Sequence, residues 1–331
     1  MEYVTPYLEI GGYYREVFPN VHQVELPLPF SLGIVNVYLV RLERGWLLID
    51  CGMETEQCLA ALSRACEGLG VNWTDIRQIL VTHAHPDHSG LAPRLLQKTG
   101  ARLMMHGHDV NLLYSMASGQ GADMNRNVLG RAGTPPALRE QVAAVFREIQ
   151  QGFRVVNPDE FLADGESIPT TLGPLDVFWT PGHSPGHVCL YAREKRLLFS
   201  GDHLLEHITP NIGWQPERDA LGDFLNSLER MKDMEIDLIL PAHGGPFAGH
   251  RDLIRKTIGH HHERCAAILA SLAGTPSRAH DLVAQLWKRP LSPFHYRFAI
   301  YEVLAHLEHM QRRGMVSASP NGGSPVMWSA A

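Results

Sequence analysis

The chain has 331 residues and a formal net charge of −6, with 44% hydrophobic and 19% charged residues. This composition is ordinary for a globular protein with a full core and excludes a disordered chain, a collagen and a coiled coil. No run of about 18 apolar residues predicts a transmembrane helix, and residues 1–20 lack the basic and apolar blocks of a secretory signal. We therefore expect a cytoplasmic protein without a membrane partner.

The first third of the chain alternates between short apolar runs and segments with helical spacing. Strands are predicted at 21–28, 33–42, 45–49, 76–81 and 101–105, and helices at 54–68 and 91–98. This alternation predicts an α/β protein with sheets covered by helices. Residues 110–152 interrupt it with a stretch rich in glycine and methionine, followed by a helix at 137–150. We interpret this segment as a lid or pocket wall, with a plain surface excursion as the alternative.

The second half returns to strands and then changes composition. Strands are predicted at 166–168, 175–179, 187–192, 196–200 and 236–240, with an amphipathic helix at 219–234. After residue 250 the order is three helices and a hairpin turning at 321–323, which is winged-helix-like. We therefore predict a catalytic domain at 1–250, containing the 110–152 insertion, and a small helical domain at 251–331. The run His260–His262 begins a predicted helix and is expected to be solvated.

Histidines and aspartates cluster at the predicted strand ends. His83, His85, Asp87 and His88 occur within six residues, directly after the strand at 76–81. A single histidine here would be structural, but three histidines and an aspartate at this spacing indicate a metal site. Imidazole and carboxylate ligands suit zinc, iron or manganese. Three further strand ends carry His183, Asp202 and His243.

This order of motifs resembles the metallo-β-lactamase superfamily over residues 20–250. The resemblance implies a four-layer αβ/βα sandwich with two divalent metal ions, of which zinc is expected first, at one sheet edge. It implies that the first ion binds His83, His85 and His183, that the second binds Asp87, His88 and His243, and that Asp202 bridges both. Asp50 matches the family's carboxylate that fixes the ligand geometry.

The chemistry of this ligand set predicts a hydrolase. Two cations bridged by Asp202 would hold a hydroxide, because the pKa of bound water falls from about 15.7 to about 7. We therefore predict Asp87 and Asp202 as catalytic residues, without a serine or cysteine nucleophile. His187 is expected to support the site rather than to bind metal, and His203, His207 and Trp214 are predicted to line the substrate pocket.

The appended C-terminal module narrows the range of candidate substrates. A core of this kind followed by a winged-helix-like module resembles glyoxalase-II-like and lactamase-β-2-like hydrolases, which implies cleavage of thioesters or of single-stranded RNA. We favour a small acyl thioester, of the acyl-CoA or acyl-glutathione type, with a lactone as a further alternative. Residues 251–331 hold ten basic and five acidic residues. This excess is modest, so an endoribonuclease that acts on single-stranded RNA is the second hypothesis. A homodimer stays open beside a monomer.

Overall fold

The computed structural model describes residues 13–29, 33–118, 120–150, 155–319 and 325–331, and side chains in these ranges except at 120–122 and 148–150. The elements of the first half, in chain order, are β1 (Tyr14–Phe18), β2 (Val21–Pro27), β3 (Ile34–Arg41), β4 (Trp46–Ile49), α1 (Glu56–Gly68), β5 (Ile76–Leu80), α2 (Pro86–Ser89), α3 (Ala92–Thr99), β6 (Arg102–His106), α4 (Gly107–Ala117), α5 (Gln120–Arg131), α6 (Pro136–Gln150) and β7 (Glu160–Leu162). Those of the second half are β8 (Ser167–Thr170), β9 (Gly173–Trp179), β10 (Val188–Ala192), β11 (Leu197–Gly201), α7 (Ala220–Met231), β12 (Leu238–Pro241), α8 (His250–Leu272), α9 (Ala279–Leu286), α10 (Pro293–Arg312), β13 (Val316–Ser319) and β14 (Met327–Ala330).

Two mixed sheets form the centre of the molecule. The first runs β1 to β7 in chain order, antiparallel up to β4 and parallel from β4 to β7. The second has the order β12-β11-β10-β9-β8, with β11 and β12 parallel and the other pairs antiparallel. The predicted ligands that follow the parallel strands of both sheets come together in space. The carboxyl ends of these strands therefore point to one edge of the molecule.

Apolar side chains divide the molecule into layers. Leu47 and Ile49 of the first sheet pack against Val177 and Phe199 of the second, so the two sheets share one core. The outer face of the first sheet packs against α1 and α3, and that of the second against α7 and the start of α8. Helices therefore cover two face-to-face sheets. The predicted four-layer αβ/βα sandwich is confirmed.

Most described residues of the 110–152 insertion lie in the helices α4, α5 and α6. Leu129 and Val142 are fully buried, and they belong to the same core cluster as Leu282 and Ile300 of the C-terminal helices. Burial of these side chains stabilises α5 in spite of its glycines, since tertiary packing overrides weak local propensity. The helices α4 and α5 were not predicted in this segment, and its role as a lid or pocket wall stays a prediction.

The C-terminal region has the predicted order of three helices and a two-stranded antiparallel sheet. The turn predicted at 321–323 lies outside the described residues. The first of these helices begins at His250, and its residues Ile254 and Ile268 are buried in different core clusters. This helix therefore joins the sandwich to the C-terminal core, and the domain boundary at 250 stays a prediction.

Within the same helix, the predicted solvation of the histidine run is wrong for His261. This side chain is buried, with its Nδ1 atom 3.2 Å from His306 Nε2, because its helical position faces α10. Throughout the described ranges, no helix combines the length and the hydropathy needed to cross a membrane.

Candidate metal centre

Strand ends of both sheets bring the predicted ligands to one edge. The segment after β5 carries His83 and His85, and the single turn of α2 carries Asp87 and His88. Pro86 occupies the first helical position, where its fixed φ suits a helix start and holds the preceding His85 in an extended conformation. This change of backbone conformation directs the ligands before and after Pro86 to different positions.

The second sheet contributes the remaining ligands. His183 lies in the turn between β9 and β10, Asp202 follows β11, and His243 follows β12. The turn before His183 needs a glycine, because Gly182 has a φ of +137° and a Cβ there would lie 2.6 Å from the backbone nitrogen of Phe224. The close approach of this turn to α7 fixes the position of His183.

The first group of ligand atoms is compact. His85 Nδ1 lies 2.9 Å from His83 Nε2 and 3.0 Å from His183 Nε2. Asp202 Oδ2 lies 3.5 Å from His183 Nε2. The ligand atoms of these residues all lie within 4.8 Å of one another.

A second group lies directly beside the first. Asp87 Oδ2 is 3.4 Å from His243 Nε2 and 3.7 Å from His88 Nε2. The carboxylate of Asp202 lies between the groups, because its Oδ1 is 3.5 Å from His243 Nε2 while its Oδ2 faces His183. The structure thus brings all seven predicted ligands together.

The unpaired atoms of the site test whether it suits metal ions. His88 Nε2, His243 Nε2 and Asp202 Oδ1 are buried without a hydrogen-bond partner in the part of the chain that the structure describes. The other ring nitrogens have partners: His88 Nδ1 lies 2.8 Å from Asp50, and His243 Nδ1 donates to the carbonyl of Ile34 at 2.9 Å. An unpaired buried lone pair is costly. Imidazole and carboxylate donors converging in this way fit divalent ions.

Protonation in the site follows burial and charge. Burial lowers the pKa of His85 to about 3, with His183 adding to the effect. Burial also lowers the pKa of His88, but the carboxylates of Asp202, Asp87 and Asp50 outweigh it and raise that pKa well above the ordinary value. A cation in place of the proton on His88 would relieve the same concentration of negative charge.

Asp50 supports the ligands from behind. It adopts a left-handed backbone (φ 61°) directly after β4, a conformation that costs energy in a residue other than glycine. Its carboxylate accepts hydrogen bonds from the Thr82 amide at 2.8 Å and from the Thr82 hydroxyl, and it also contacts His88 Nδ1. Asp50 therefore fixes both the start of the ligand segment and the ring of His88.

His187 lies beside the ligands without entering their cluster. Its Nε2 accepts a hydrogen bond from the Asp202 amide at 3.1 Å, and its Nδ1 donates to the Thr180 hydroxyl at 2.7 Å. The residue is fully buried. The ring of His187 thus holds the backbone that carries Asp202.

The predicted pocket residues have different surroundings. His203 is 1% exposed and packs edge-on against Phe224, with ring centroids 5.1 Å apart. The pocket prediction is wrong for His203, because the turn after β11 directs its side chain inward to α7. His207 is exposed and contacts Glu206 at 3.1 Å. Trp214 is half-buried, and its amide donates to the Tyr301 carbonyl of α10 at 2.9 Å.

Sequence reasoning missed Asp109, which lies in α4 and is fully buried. Its carboxylate accepts hydrogen bonds from the Ala84 amide and the Ser184 hydroxyl, both at 2.7 Å, and from the Gly186 amide. Ala84 lies between two ligands of the first sheet, and Ser184 follows His183. Asp109 therefore joins the ligand segments of the two sheets. The sequence signal for it was weak, since Asp109 lies 21 residues beyond the motif.

Comparison with known proteins agrees with this geometry. Residues 31–243 match the family model of the metallo-beta-lactamase superfamily, and residues 265–324 match that of the metallo-beta-lactamase-like C-terminal domain. A metallo-beta-lactamase family protein from Thermus thermophilus superposes with a TM-score of 0.84 at 30% identity, covering 96% of this chain and 100% of that one. A beta-lactamase domain protein from Burkholderia ambifaria gives 0.87 at 28% identity, covering 99% and 97%.

Curated relatives are more distant. The probable metallo-hydrolase YqjP of Bacillus subtilis is 26% identical over 81% of this chain and 85% of its own length. The atrochrysone carboxyl ACP thioesterase of Aspergillus fumigatus is 23% identical over 65% of this chain. The chain spans only 38% of that fungal protein's length.

Proposed function

This chain belongs to the metallo-beta-lactamase superfamily and is a metallo-hydrolase, and from that premise we propose that it binds two divalent ions, zinc by preference, and hydrolyses acyl thioesters. The observation that carries the proposal is the wall beside the metal ligand His183. The Nδ1 atom of His183 donates to the Asn211 carbonyl at 3.0 Å, and the same loop continues to Trp214 against α10. The half-buried Trp214 gives this loop an aromatic surface, which suits an acyl chain. The name of the fungal thioesterase supports the same substrate class.

The residues of the site suit thioester cleavage. Burial raises the pKa of Asp202, but His243 and His88 outweigh it and hold that pKa well below the ordinary value, so the carboxylate is ionised and can offset the charge of two cations. Bound divalent ions would lower the pKa of a water molecule and polarise the thioester carbonyl. His187 holds the backbone of Asp202 during turnover, and Asp50 holds the ring of His88. A thiol has a pKa of about 8.5, so a thiolate leaves without a proton from the protein.

RNA cleavage is the second candidate, and the three arginines of α8 argue against it. The guanidinium of Arg251 donates to the carbonyls of Lys232 and Met234, while Arg255 pairs with Asp252. Arg264 pairs with Glu302 at 3.1 Å. These cations already have partners within the protein, so they offer little to a phosphate backbone.

A hydrolysis screen of the metal-replete protein tests the proposal. It compares acyl-CoA, acyl-glutathione and acyl-N-acetylcysteamine thioesters with lactones and single-stranded RNA. We expect the highest kcat/KM for a thioester. The variant Asp202→Asn is the control for activity from contaminating enzymes, and we expect no turnover from it. A higher kcat/KM for a lactone, or metal-dependent RNA cleavage without thioester turnover, would replace the proposed substrate.

A further inference from the structure

Arg297 of α10 is a half-buried cation whose partners within the protein are neutral. Its guanidinium lies 4.0 Å from the ring centre of Tyr301 and 4.5 Å from that of Phe146. Its Nε donates to the Asn125 side-chain carbonyl at 3.2 Å, and the Tyr301 hydroxyl donates to the same oxygen at 2.5 Å. Among the described residues, no carboxylate lies within ion-pairing distance of Arg297.

Most other arginines of the C-terminal region have acidic partners among the described residues. The pairs include Arg264–Glu302, Arg278–Asp281, Arg312–Glu308 and Arg313–Asp219. Arg289, which is not among these pairs, is exposed to solvent. Placing a cation in a partly buried position is costly unless an anion compensates it. Arg297 is therefore held in a defined position by aromatic rings and an amide, and no carboxylate of the described residues compensates its charge.

The backbone of α10 next to Arg297 is connected to the metal centre through one loop residue. The loop residue Asn211 accepts a hydrogen bond from the ligand His183 through its carbonyl, and its side-chain amide donates to the carbonyl of Phe298 at 3.5 Å. Phe298 is the neighbour of Arg297 in α10. Two hydrogen bonds thus connect a metal ligand with the residue beside Arg297.

The surroundings of Arg297 are also apolar. Phe146 of α6 lies near Phe294 and Phe298 of α10, with ring centroids 6.0 and 6.3 Å from its own. Phe146 and Phe298 are only partly buried. A ligand at this position would meet a cation beside aromatic rings, where α5, α6, α10 and the loop of Asn211 come together.

We propose that Arg297 is the anion-binding residue of the substrate site and that the substrate is an acyl thioester carrying a carboxylate or a phosphate. The inference rests on the proposed thioesterase function. A carboxylate would lie on the acyl chain and a phosphate on the pantetheine arm, and the planar guanidinium suits either group. The aromatic rings then contact the apolar part of the same molecule.

Substrate selectivity tests the inference. The assays use butyryl-N-acetylcysteamine as the neutral substrate, glutaryl-N-acetylcysteamine as the carboxylate and butyryl-CoA as the phosphate. In Arg297→Met, which keeps an apolar stem between the rings, we expect the preference in kcat/KM for an anionic over the neutral thioester to fall at least about tenfold, mainly through KM. Arg297→Lys should keep part of the preference. Arg312→Met, at the other end of α10, should keep all of it.

The anionic substrate whose preference in kcat/KM over the neutral thioester falls in Arg297→Met identifies the source of the anion. If only glutaryl-N-acetylcysteamine loses this preference, the carboxylate of the acyl chain is the ligand, and if only butyryl-CoA loses it, the phosphate is. Unchanged preferences in Arg297→Met, or an equal loss for neutral and anionic thioesters, would overturn the inference. Should Arg297→Met fail to fold, Arg297→Lys together with inhibition of the wild type by glutarate and by coenzyme A gives the answer. Absence of inhibition by both would then count against it.

A binding measurement separates this inference from the proposed function. Calorimetry with coenzyme A and with glutarate needs no turnover. Binding that weakens about tenfold or more in Arg297→Met, in a protein that hydrolyses no thioester, would support the anion site and refute the thioesterase. Thioester turnover together with equal binding of coenzyme A and glutarate in the wild type and Arg297→Met would support the thioesterase and refute the anion site.

Discussion

Asp202 is the residue on which the two ligand groups depend. Its two oxygens face different histidines, His183 on one side and His243 on the other. In the proposed site of two ions, removing this negative charge would leave two cations opposite each other, while the hydrogen bond from its amide to His187 remains available to hold the backbone. The side chain is thus needed for the ions and much less for the fold.

We therefore expect Asp202→Asn to lower kcat/KM by orders of magnitude and to reduce the metal content from two ions per chain. The far-ultraviolet circular dichroism spectrum should stay close to that of the wild type. Elemental analysis and steady-state kinetics on one preparation check the prediction. Turnover near the wild-type value in a metal-replete variant would show that Asp202 does not bridge.

Asp109 positions metal ligands that lie far from it in the sequence. In Asp109→Asn, one oxygen is replaced by an amide that faces the donor groups of Ala84, Ser184 and Gly186. We expect a loss of about 1–3 kcal/mol in the free energy of unfolding and a metal affinity about 10–100-fold weaker. Chelator competition measures the affinity. The exposed Asp123→Asn on α5 is the matched control, and equal metal affinities in both variants would contradict the positioning role.

The ligands were predictable from sequence for a physical reason that does not extend to their supports. His83, His85, Asp87 and His88 lie in one short segment, so their spacing alone indicates a shared ion. Asp109 and Asn211 reach the site only through tertiary packing, and no local pattern marks them. His203 shows the opposite error, since adjacency to Asp202 in sequence did not place its side chain in the same space.

At the scale of elements, most strands were predictable because short apolar runs between turn residues permit few other structures. The edge strands β1 and β7 were not predicted, since Tyr14–Phe18 and Glu160–Leu162 form no such run.

The helices α4 and α5 were not predicted, because glycine lowers local helix propensity. Val110 and Leu113 of α4 pack in the core of the first sheet, and Leu129 of α5 packs in the core of the C-terminal helices. His261 was wrongly predicted to be solvated, because its partner His306 lies 45 residues further along the chain and no local pattern indicates the contact.

Asp219 joins the start of α7 to the end of α10, and its carboxyl group makes this contact depend on pH. Its side chain caps α7 by accepting from the Gly222 amide at 2.8 Å, and it contacts His309 of α10 and Arg313, which directly follows α10. Burial raises its pKa, but the hydrogen bonds from His309 and Gly222 outweigh burial and lower the pKa from 3.8 to about 2. Because the folded pKa lies below the unfolded one, the contribution to stability is complete above about pH 4 and lost as the pH falls toward 2.

We expect Asp219→Ala to lower the free energy of unfolding by about 1–2 kcal/mol at pH 7, mainly through the lost cap. The difference from wild type should shrink as the pH falls below 4. Urea titrations between pH 3 and 7 measure it, with the exposed Glu229→Ala on the same helix as the control. A difference that stays constant across this pH range would show that the carboxylate charge of Asp219 does not contribute.

For the whole molecule, metal ions should stabilise the folded state. The ligand groups exist only when both sheets are packed, so ions bind the native chain in preference to the unfolded one. At a free metal concentration of about 100 times Kd, the gain is about 2.7 kcal/mol. We expect a chelator to lower the Tm and added Zn²⁺ to restore it in a concentration-dependent way.

In this experiment the variant Asp202→Asn should respond less than the wild type does. Elemental analysis of the active protein should give close to two ions per chain. A Tm that is insensitive to chelation, or an active enzyme with one ion, would contradict the dinuclear site.

The division of the ligands between two sheets also governs when the centre can be assembled. His83 and His85 leave the ribosome well before His243, and at about 5–20 residues per second the interval is on the order of ten seconds. During it the nascent chain exposes a cluster of histidines whose partners have not been synthesised. Binding of the two proposed ions would therefore follow synthesis of the whole sandwich, and a chain broken between β7 and β8 would yield two fragments, each carrying an incomplete set of ligands.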